Sequence, residues 1–352
     1  MPASARVKVL IIGGSYAGLS AAVNLLDLHQ GLQPRQSREP YLHHPDTPQF
    51  DLEITIIDER DGYSLVDPIY AQKSWVKFHD IPQLQHPSIK VIHGSISSVD
   101  CSHKIATFLD TTKKQSRSQH YDILLTATGL RRVWPVVPQS LSQTDFFREV
   151  TSHINSTHNA PYGLAVVGGG AVGVEMAAEL KTYHPEVDIT LIHSRDKVLS
   201  SEPLPDGTKD KALQLLQDLG VKVLMEHRLT RSKVQTRDGC TWYDLEFTNG
   251  HKMSTSKVIH AMSRSSPSTS FLPLSAKDTK GFVKVQAKFK ELERMPPMMA
   301  VAIGKSAVAY APGIGTTFGE EVAQTYFGDD LALSFCWQTM QLNGREEAEV
   351  TK

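Results

Sequence analysis

Two hydrophobic rhythms alternate along the 352 residues of this chain, and the same order of them occurs twice. Near the start, the apolar run VLIIGG at 9–14 enters a glycine turn, and Ala21, Ala22, Leu25, Leu26 and Leu28 then recur at helical spacing until Gly31. The pattern returns at 164–180, where LAVV meets glycines at 168, 169, 170 and 173, followed by Val174, Ala177, Ala178 and Leu180. Both stretches predict a strand, a tight turn and a helix. A β-rich run follows each helix, DLEITIID at 51–58 and DITLIH at 188–193. After the second run a helix is expected over 209–219, closed by Gly220.

Short β-runs separated by polar turns come next. In the first half they are IKVIHGSISSV, KIATFLD and YDILLTATG; in the second VKVLMEH, SKVQT, YDLEFTNG and SKVIHAM. Each set reads as a meander. Between the first helix and its β-run lies a loop, 32–49, with four prolines, and 131–138 with Pro135 and Pro138 reads as an exit. The duplication predicts an α/β fold of two tandem Rossmann-like dinucleotide-binding domains with inserted β-meanders, plus a short C-terminal α+β segment. The expected boundaries are 1–158, with 264–290 returning to that domain, then 159–263, then 291–352.

The turns carry the chemistry. In a Gly-x-Gly-x-x-Gly turn the first glycine allows the bend, the second admits the pyrophosphate and the third packs helix on strand. Gly168, Gly169, Gly170, Val172 and Gly173 make the complete copy; in Gly13, Gly14, Ser15, Ala17 and Gly18 a serine replaces the second glycine. Two such turns in one chain point to a bound flavin facing a diffusing nicotinamide. Asp58, Glu59 and Arg60 end the second strand of the first copy, where an acid holds a ribose; with Asp61-Gly62 following, an ordinary turn is the other reading. Ala127, Thr128 and Gly129 let backbone approach a ligand at a strand end, and Ile96 joins the candidate flavin contacts. The second copy ends in His193, Ser194 and Arg195 instead. A cation there suits the 2′-phosphate of NADPH, so NADPH is expected over NADH, a solvated strand end being the alternative.

Composition narrows the classes. The 37 basic and 38 acidic residues nearly cancel, so neither nucleic acid nor an anionic membrane is an expected partner. Cys101, Cys240 and Cys336 lie too far apart for a redox pair or zinc spacing, and His43-His44 has no neighbouring ligands, so no metal site is expected. No apolar run reaches the roughly 20 residues of a membrane-crossing helix. A soluble, cytoplasmic protein is the expectation, with peripheral membrane contact left open, as is the oligomeric state.

The two glycine motifs, YDILLTATGL, VVGGGAVGVEMAAELK and ITLIHSRDKVL together resemble the apoptosis-inducing-factor-like flavoproteins of the ferroptosis-suppressor type. DDLALSFCWQTMQ at 329–341, with Trp337 and Met340, resembles that group's C-terminal signature. The resemblance implies FAD, hydride from NAD(P)H, a quinone-like acceptor, and Glu175 near the meeting of nicotinamide and flavin. Three departures fall mainly on the flavin side. A strand ending in Gly-Asp, expected between the second nucleotide domain and the C-terminal one, is missing, since GFVKVQAKFKELERM runs directly into PPMMAVAIGKSAVAYAPG. The stretch 63–73 lacks an expected Arg, and Ala261-Met262-Ser263 replaces a Thr-Gly pair. A redox-inactive NAD(P)-binding sensor or scaffold is therefore the second reading.

Overall fold

The computed structural model describes residues 5–35, 37, 50–64, 74–158, 160–262, 265–285 and 297–344. Strand Ala5–Ile12 pairs in parallel with Phe50–Asp58 on one side and Ile123–Thr126 on the other. Ile89–Asp100 extends the sheet beyond Phe50–Asp58 and then leaves it, pairing antiparallel with Ile105–Asp110, which in turn carries Gln115–His120. One long strand thus serves both layers. A register shift between Ile96 and Ser98 marks the change of direction.

The second unit repeats the parallel order, with Lys222–Leu224, Ile189–Ile192, Leu164–Val167 and Lys257–His260 side by side. Its meander is a separate sheet of Leu229–Arg237, Cys240–Phe247 and Lys252–Thr255. Every residue of Leu164–Val167 and Ile189–Ile192 is buried, as parallel strands covered on both faces must be. Meander strands keep one wet face, so Gln115–His120 has no buried residue.

Several expectations shift. The run VKVL belongs to the second parallel sheet rather than opening a meander, and Ile123–Thr126 and Lys257–His260 pair beside the glycine-turn strands. Helix Asp206–Asp218 starts before the expected 209. Among the elements that escape the pattern are the strand Gln115–His120, the helix Gln143–His158 and the short pair Gly62–Ser64 and Trp75–Lys77. That helix buries Phe146, Val150, His153 and Thr157, one stripe at spacings of four, three and four, half of it polar.

The C-terminal segment divides its contacts. Strands Met299–Ile303, Ser306–Ala311 and Gly315–Gly319 form an antiparallel sheet whose Val301, Ile303 and Val308 enter the core of the second unit. Helix Leu333–Met340 instead completes the first core, where Leu333, Met340 and Leu342 pack with Leu19, Leu26 and Ile54. Arg35 fastens it. Its guanidinium pairs with Asp27 at 2.7 Å, with side-chain exposures of 2% and 3%, and donates to the carbonyls of Met340 and Gln341 and to Gln83. Residues after the second unit turn back to the first, where Ser266–Pro267 pairs with Leu130–Arg131 and Leu272 packs with Leu10 and Ile12.

Candidate active site

Both glycine turns follow an interior strand of their sheet and open a helix, Tyr16–His29 in one and Ala171–Tyr183 in the other. The leading glycines, Gly13 and Gly168, sit at φ +104° and +126°, where a side chain would be strained and would strike the carbonyls of Ala127 and Ala261. At the closing glycines, Gly18 and Gly173, a Cβ would overlap the carbonyl oxygens of Gly13 and Gly168. Gly14 and Gly169 are also crowded, against Phe78 and His193. Gly170 is different: a Cβ there meets nothing within 4 Å. Ser15, its counterpart, is exposed, as is Ala17. Neither helix has a side-chain cap, so the amides of its first turn are left for an anion. The residues present therefore fit a pyrophosphate at both turns.

The strand ends are built alike with different chemistry. The Asp58 carboxylate accepts the amide N–H of Gly14 at 2.6 Å and of Arg60 at 2.7 Å. Burial pushes its pKa up, against the pull of those two amides. Each oxygen keeps a lone pair, so a ribose hydroxyl would be held in addition to them. Glu59 is taken by Arg131, while Arg60 donates to the Pro138 carbonyl and keeps a buried Nε–H without a partner among the described residues. In the second unit His193 occupies the place of Asp58. Its Nδ1 accepts the Gly169 N–H at 3.0 Å and its Nε2–H donates to Ser200 Oγ at 2.9 Å. That pairing requires the neutral ring, and burial together with nearby Arg195 lowers its pKa accordingly.

The cation expected at this strand end is Arg195. Its side chain is exposed beside exposed Ser194, with Nη1 3.2 Å from Ser200 Oγ. If Arg195 selects the 2′-phosphate, Arg195→Glu should raise the Kd for NADPH by about tenfold or more and leave NADH nearly unchanged. Equal affinities for the two cofactors in both proteins, measured by titration, would remove the assignment.

Between the two units lies a cleft of about 660 Å³. Tyr16 reaches it from the first helix, Val172 and Glu175 from the second. Leu130, Pro135 and Val137 supply apolar wall from the first unit, and Leu331 and Leu333 close it from the C-terminal segment. Glu175 Oε1 accepts the amide N–H of Ala302 at 3.3 Å, which holds the carboxylate at the cleft edge. The Tyr16 ring stands edge-on to Tyr63, 5.2 Å between centroids, with Trp337 6.5 Å beyond. Burial pushes the Tyr16 hydroxyl up to about 12, so it stays a donor at neutral pH.

Other candidates are placed as follows. Ala127 and Thr128 back the Gly13 turn as Ala261 and Met262 back the Gly168 turn, and Gly129 follows at φ +61°. Ile96 packs on the apolar cluster of Leu10, Ile12 and Ile57. Residues 65–73 of the stretch expected to carry an Arg, Ser263, and 286–296 of the junction lacking a Gly-Asp strand lie outside the described residues. Sequence reasoning missed Tyr16, whose signal was only its adjacency to Ser15, and the helix Gln143–His158, which adds His153, Ile154 and Thr157 to the cleft. All three cysteines are unpaired, and no helix among the described residues is long and apolar enough to cross a membrane.

A family model for pyridine nucleotide-disulphide oxidoreductases matches residues 7–290. The chain is 39% identical to Oxidoreductase OXR1 of Ajellomyces capsulatus, covering 95% of this chain and 87% of that protein. Their alignment runs to 404 positions, more than this chain has residues, so the fungal relative carries internal segments without a counterpart here. Ferroptosis suppressor protein 1 of Xenopus laevis is 25% identical over 64% of the chain, which spans 53% of the frog protein. Among solved structures, the sulfide:quinone oxidoreductase of Aquifex aeolicus has the same fold, with a TM-score of 0.64 at 15% identity over 96% of this chain and 92% of that one. The chain belongs to the pyridine nucleotide-disulphide oxidoreductase family, as a member whose cysteines offer no pair for disulfide chemistry.

Proposed function

We propose that this protein takes hydride from NADPH or NADH onto FAD and passes the electrons to a small quinone-like acceptor. The observation that carries the reading is the common cleft: Tyr16 and Val172, each in the first turn of a helix that opens on a glycine turn, line the same cavity. FAD, when bound, supplies a ring that accepts hydride and returns electrons. The chain does the rest. Amides after Gly14 and Ser15 hold the FAD pyrophosphate, with Asp58, Glu59 and Arg60 at the adenosine end and Ala127, Thr128 and Gly129 along its side. Amides after Gly169 and Gly170 hold the nicotinamide cofactor, with Ser194 and Arg195 at its ribose. Apolar residues such as Leu130, Val137 and Leu333 exclude water, and Glu175 orients the reacting rings from the cleft edge. The resemblance to ferroptosis suppressors and the fold shared with a quinone oxidoreductase support the acceptor class. Three unpaired cysteines suit a reducing compartment such as the cytoplasm.

The excess length of the fungal relative favours a second reading, a redox-inactive NAD(P)-binding scaffold. A lost charge-assisted hydrogen bond to the flavin costs about 1.5–3 kcal/mol, one to two decades of affinity. The expected result is a preparation with less than one FAD per chain, little NAD(P)H oxidation, and occupancy that rises when a strand ending in Gly-Asp is inserted between Lys290 and Met295. Visible absorbance of the purified protein measures this. Stoichiometric FAD with brisk quinone turnover would show that another residue replaces the missing Asp. A colourless protein that binds NAD(P)H and cannot be reconstituted would replace the oxidoreductase reading by the scaffold.

A further inference from the structure

The helices Gln143–His158 and Ala171–Tyr183 both contribute walls to the cleft, and they end against each other. His158 is the last residue of the first; His184 caps the second. Their rings meet edge to face with centroids 4.4 Å apart, and Glu186 Oε1 lies 4.0 Å from His184 Nδ1. One ligand atom from each of His158, His184 and Glu186 falls within 4.8 Å of the others.

The buried member is the informative one. His184 is 8% exposed, and its Nδ1 has no hydrogen-bond partner among the described residues. Its Nε2 lies 3.5 Å from Thr157 Oγ1, whose own O–H donates to the Ile154 carbonyl at 2.8 Å. Thr157 can then only accept. The ring proton therefore belongs on Nε2, and the Nδ1 lone pair points unsatisfied toward Glu186 and His158. A buried acceptor without a donor costs free energy unless something else takes the lone pair. An imidazole whose far nitrogen donates to a fixed oxygen, leaving the near one free, is the arrangement metal-ligating histidines adopt.

We propose that His158, His184 and Glu186 form a binding site for a divalent transition-metal ion, with zinc as its best match. Two imidazoles and a carboxylate with water in the fourth position satisfy zinc's tetrahedral preference, whereas calcium and magnesium prefer all-oxygen sets. Bonds of about 2.0–2.2 Å require the three ligand atoms to draw closer than they stand. His158 and Glu186 are exposed and free to swing, while His184 is held by Thr157. The ion would tie the ends of two helices across one rim of the cleft and so restrain its opening. The competing arrangement is a simple edge-to-face pair of histidines with a nearby glutamate, which binds no metal.

Zinc chloride titrated calorimetrically into the metal-free full chain should bind with one equivalent at a Kd of about 10 μM or tighter. Cobalt(II) in its place should give the intense visible bands of a tetrahedral site. His158→Ala and Glu186→Gln alter surface side chains and should each weaken zinc by about tenfold or more without changing the thermal midpoint. Thr157→Val, which removes the acceptor for Nε2–H together with the hydroxyl's own bond to the Ile154 carbonyl, should weaken it by about tenfold. His43→Ala with His44→Ala should leave this equivalent in place. Zinc affinity unchanged by His158→Ala and Glu186→Gln, or a parent protein that binds no zinc in this range, would overturn the proposal. Heat and cobalt absorbance are read without NAD(P)H oxidation, so this failure would leave the oxidoreductase reading standing.

Discussion

Gly170→Val is expected to weaken NAD(P)H binding by at least about a hundredfold, roughly 2.7 kcal/mol, while the thermal midpoint moves by less than about 5 °C. The reason is that a Cβ at Gly170 meets nothing within 4 Å beyond its chain neighbours, so the cost of a branched side chain in the turn falls on the ligand rather than on the fold. Gly173→Ala, three residues on, should behave in the opposite sense. Its added methyl would overlap the Gly168 carbonyl oxygen, backbone against backbone, and neither can yield without opening the turn. The second unit should then fail to fold. Calorimetry and thermal melts on both variants separate the roles, and unchanged affinity in the Gly170 variant would show that the cofactor binds elsewhere.

Arg35→Ala should destabilise the first unit by about 3–5 kcal/mol, the usual result of stripping one partner from a buried ion pair. It removes the guanidinium from buried Asp27 and releases the carbonyls of Met340 and Gln341 together. Urea unfolding should show the loss, and a protease should begin to cut near helix Leu333–Met340. Arg35→Met combined with Asp27→Leu should recover most of the stability, because the desolvated charges go as a pair. A loss below about 1 kcal/mol in the single variant would mean the C-terminal helix is held by its apolar contacts alone.

What could be read in the sequence was local. The turns at Gly13–Gly18 and Gly168–Gly173 stand where expected because their geometry is fixed within six residues, by a positive φ and a close approach. Fully buried runs such as LAVV and ITLI were equally legible. Which sheet a run joins was not. VKVL reads the same in a meander or in a parallel sheet, and only its partner Ile189–Ile192 decides. Gln115–His120 is an exposed edge strand with no apolar alternation to betray it, and Gln143–His158 hides its buried face behind His153 and Thr157. At the site, the sequence shows only that His193-Ser194-Arg195 lacks an acid; that the His193 ring turns inward under Gly169, neutral, is visible only in the fold. The cluster of His158 and His184 was invisible for a related reason: its two rings belong to different helices whose ends meet only in the folded chain.

The division of the C-terminal segment sets a schedule for synthesis. The first core contains Leu19 and Leu26, yet it also needs Leu333, Met340 and Leu342, and the Arg35 contact to Met340 spans 305 positions. At a translation rate of about 5–20 residues per second, that partner reaches Arg35 roughly a quarter of a minute to a minute later. During that interval the earliest-made nucleotide unit exposes the apolar floor that the last helix will cover, while the second unit, finished by Val308, closes its core sooner. The order of assembly therefore runs against the order of manufacture: the unit made first is sealed last, and it is the one whose apolar surface stays open to aggregation in the meantime.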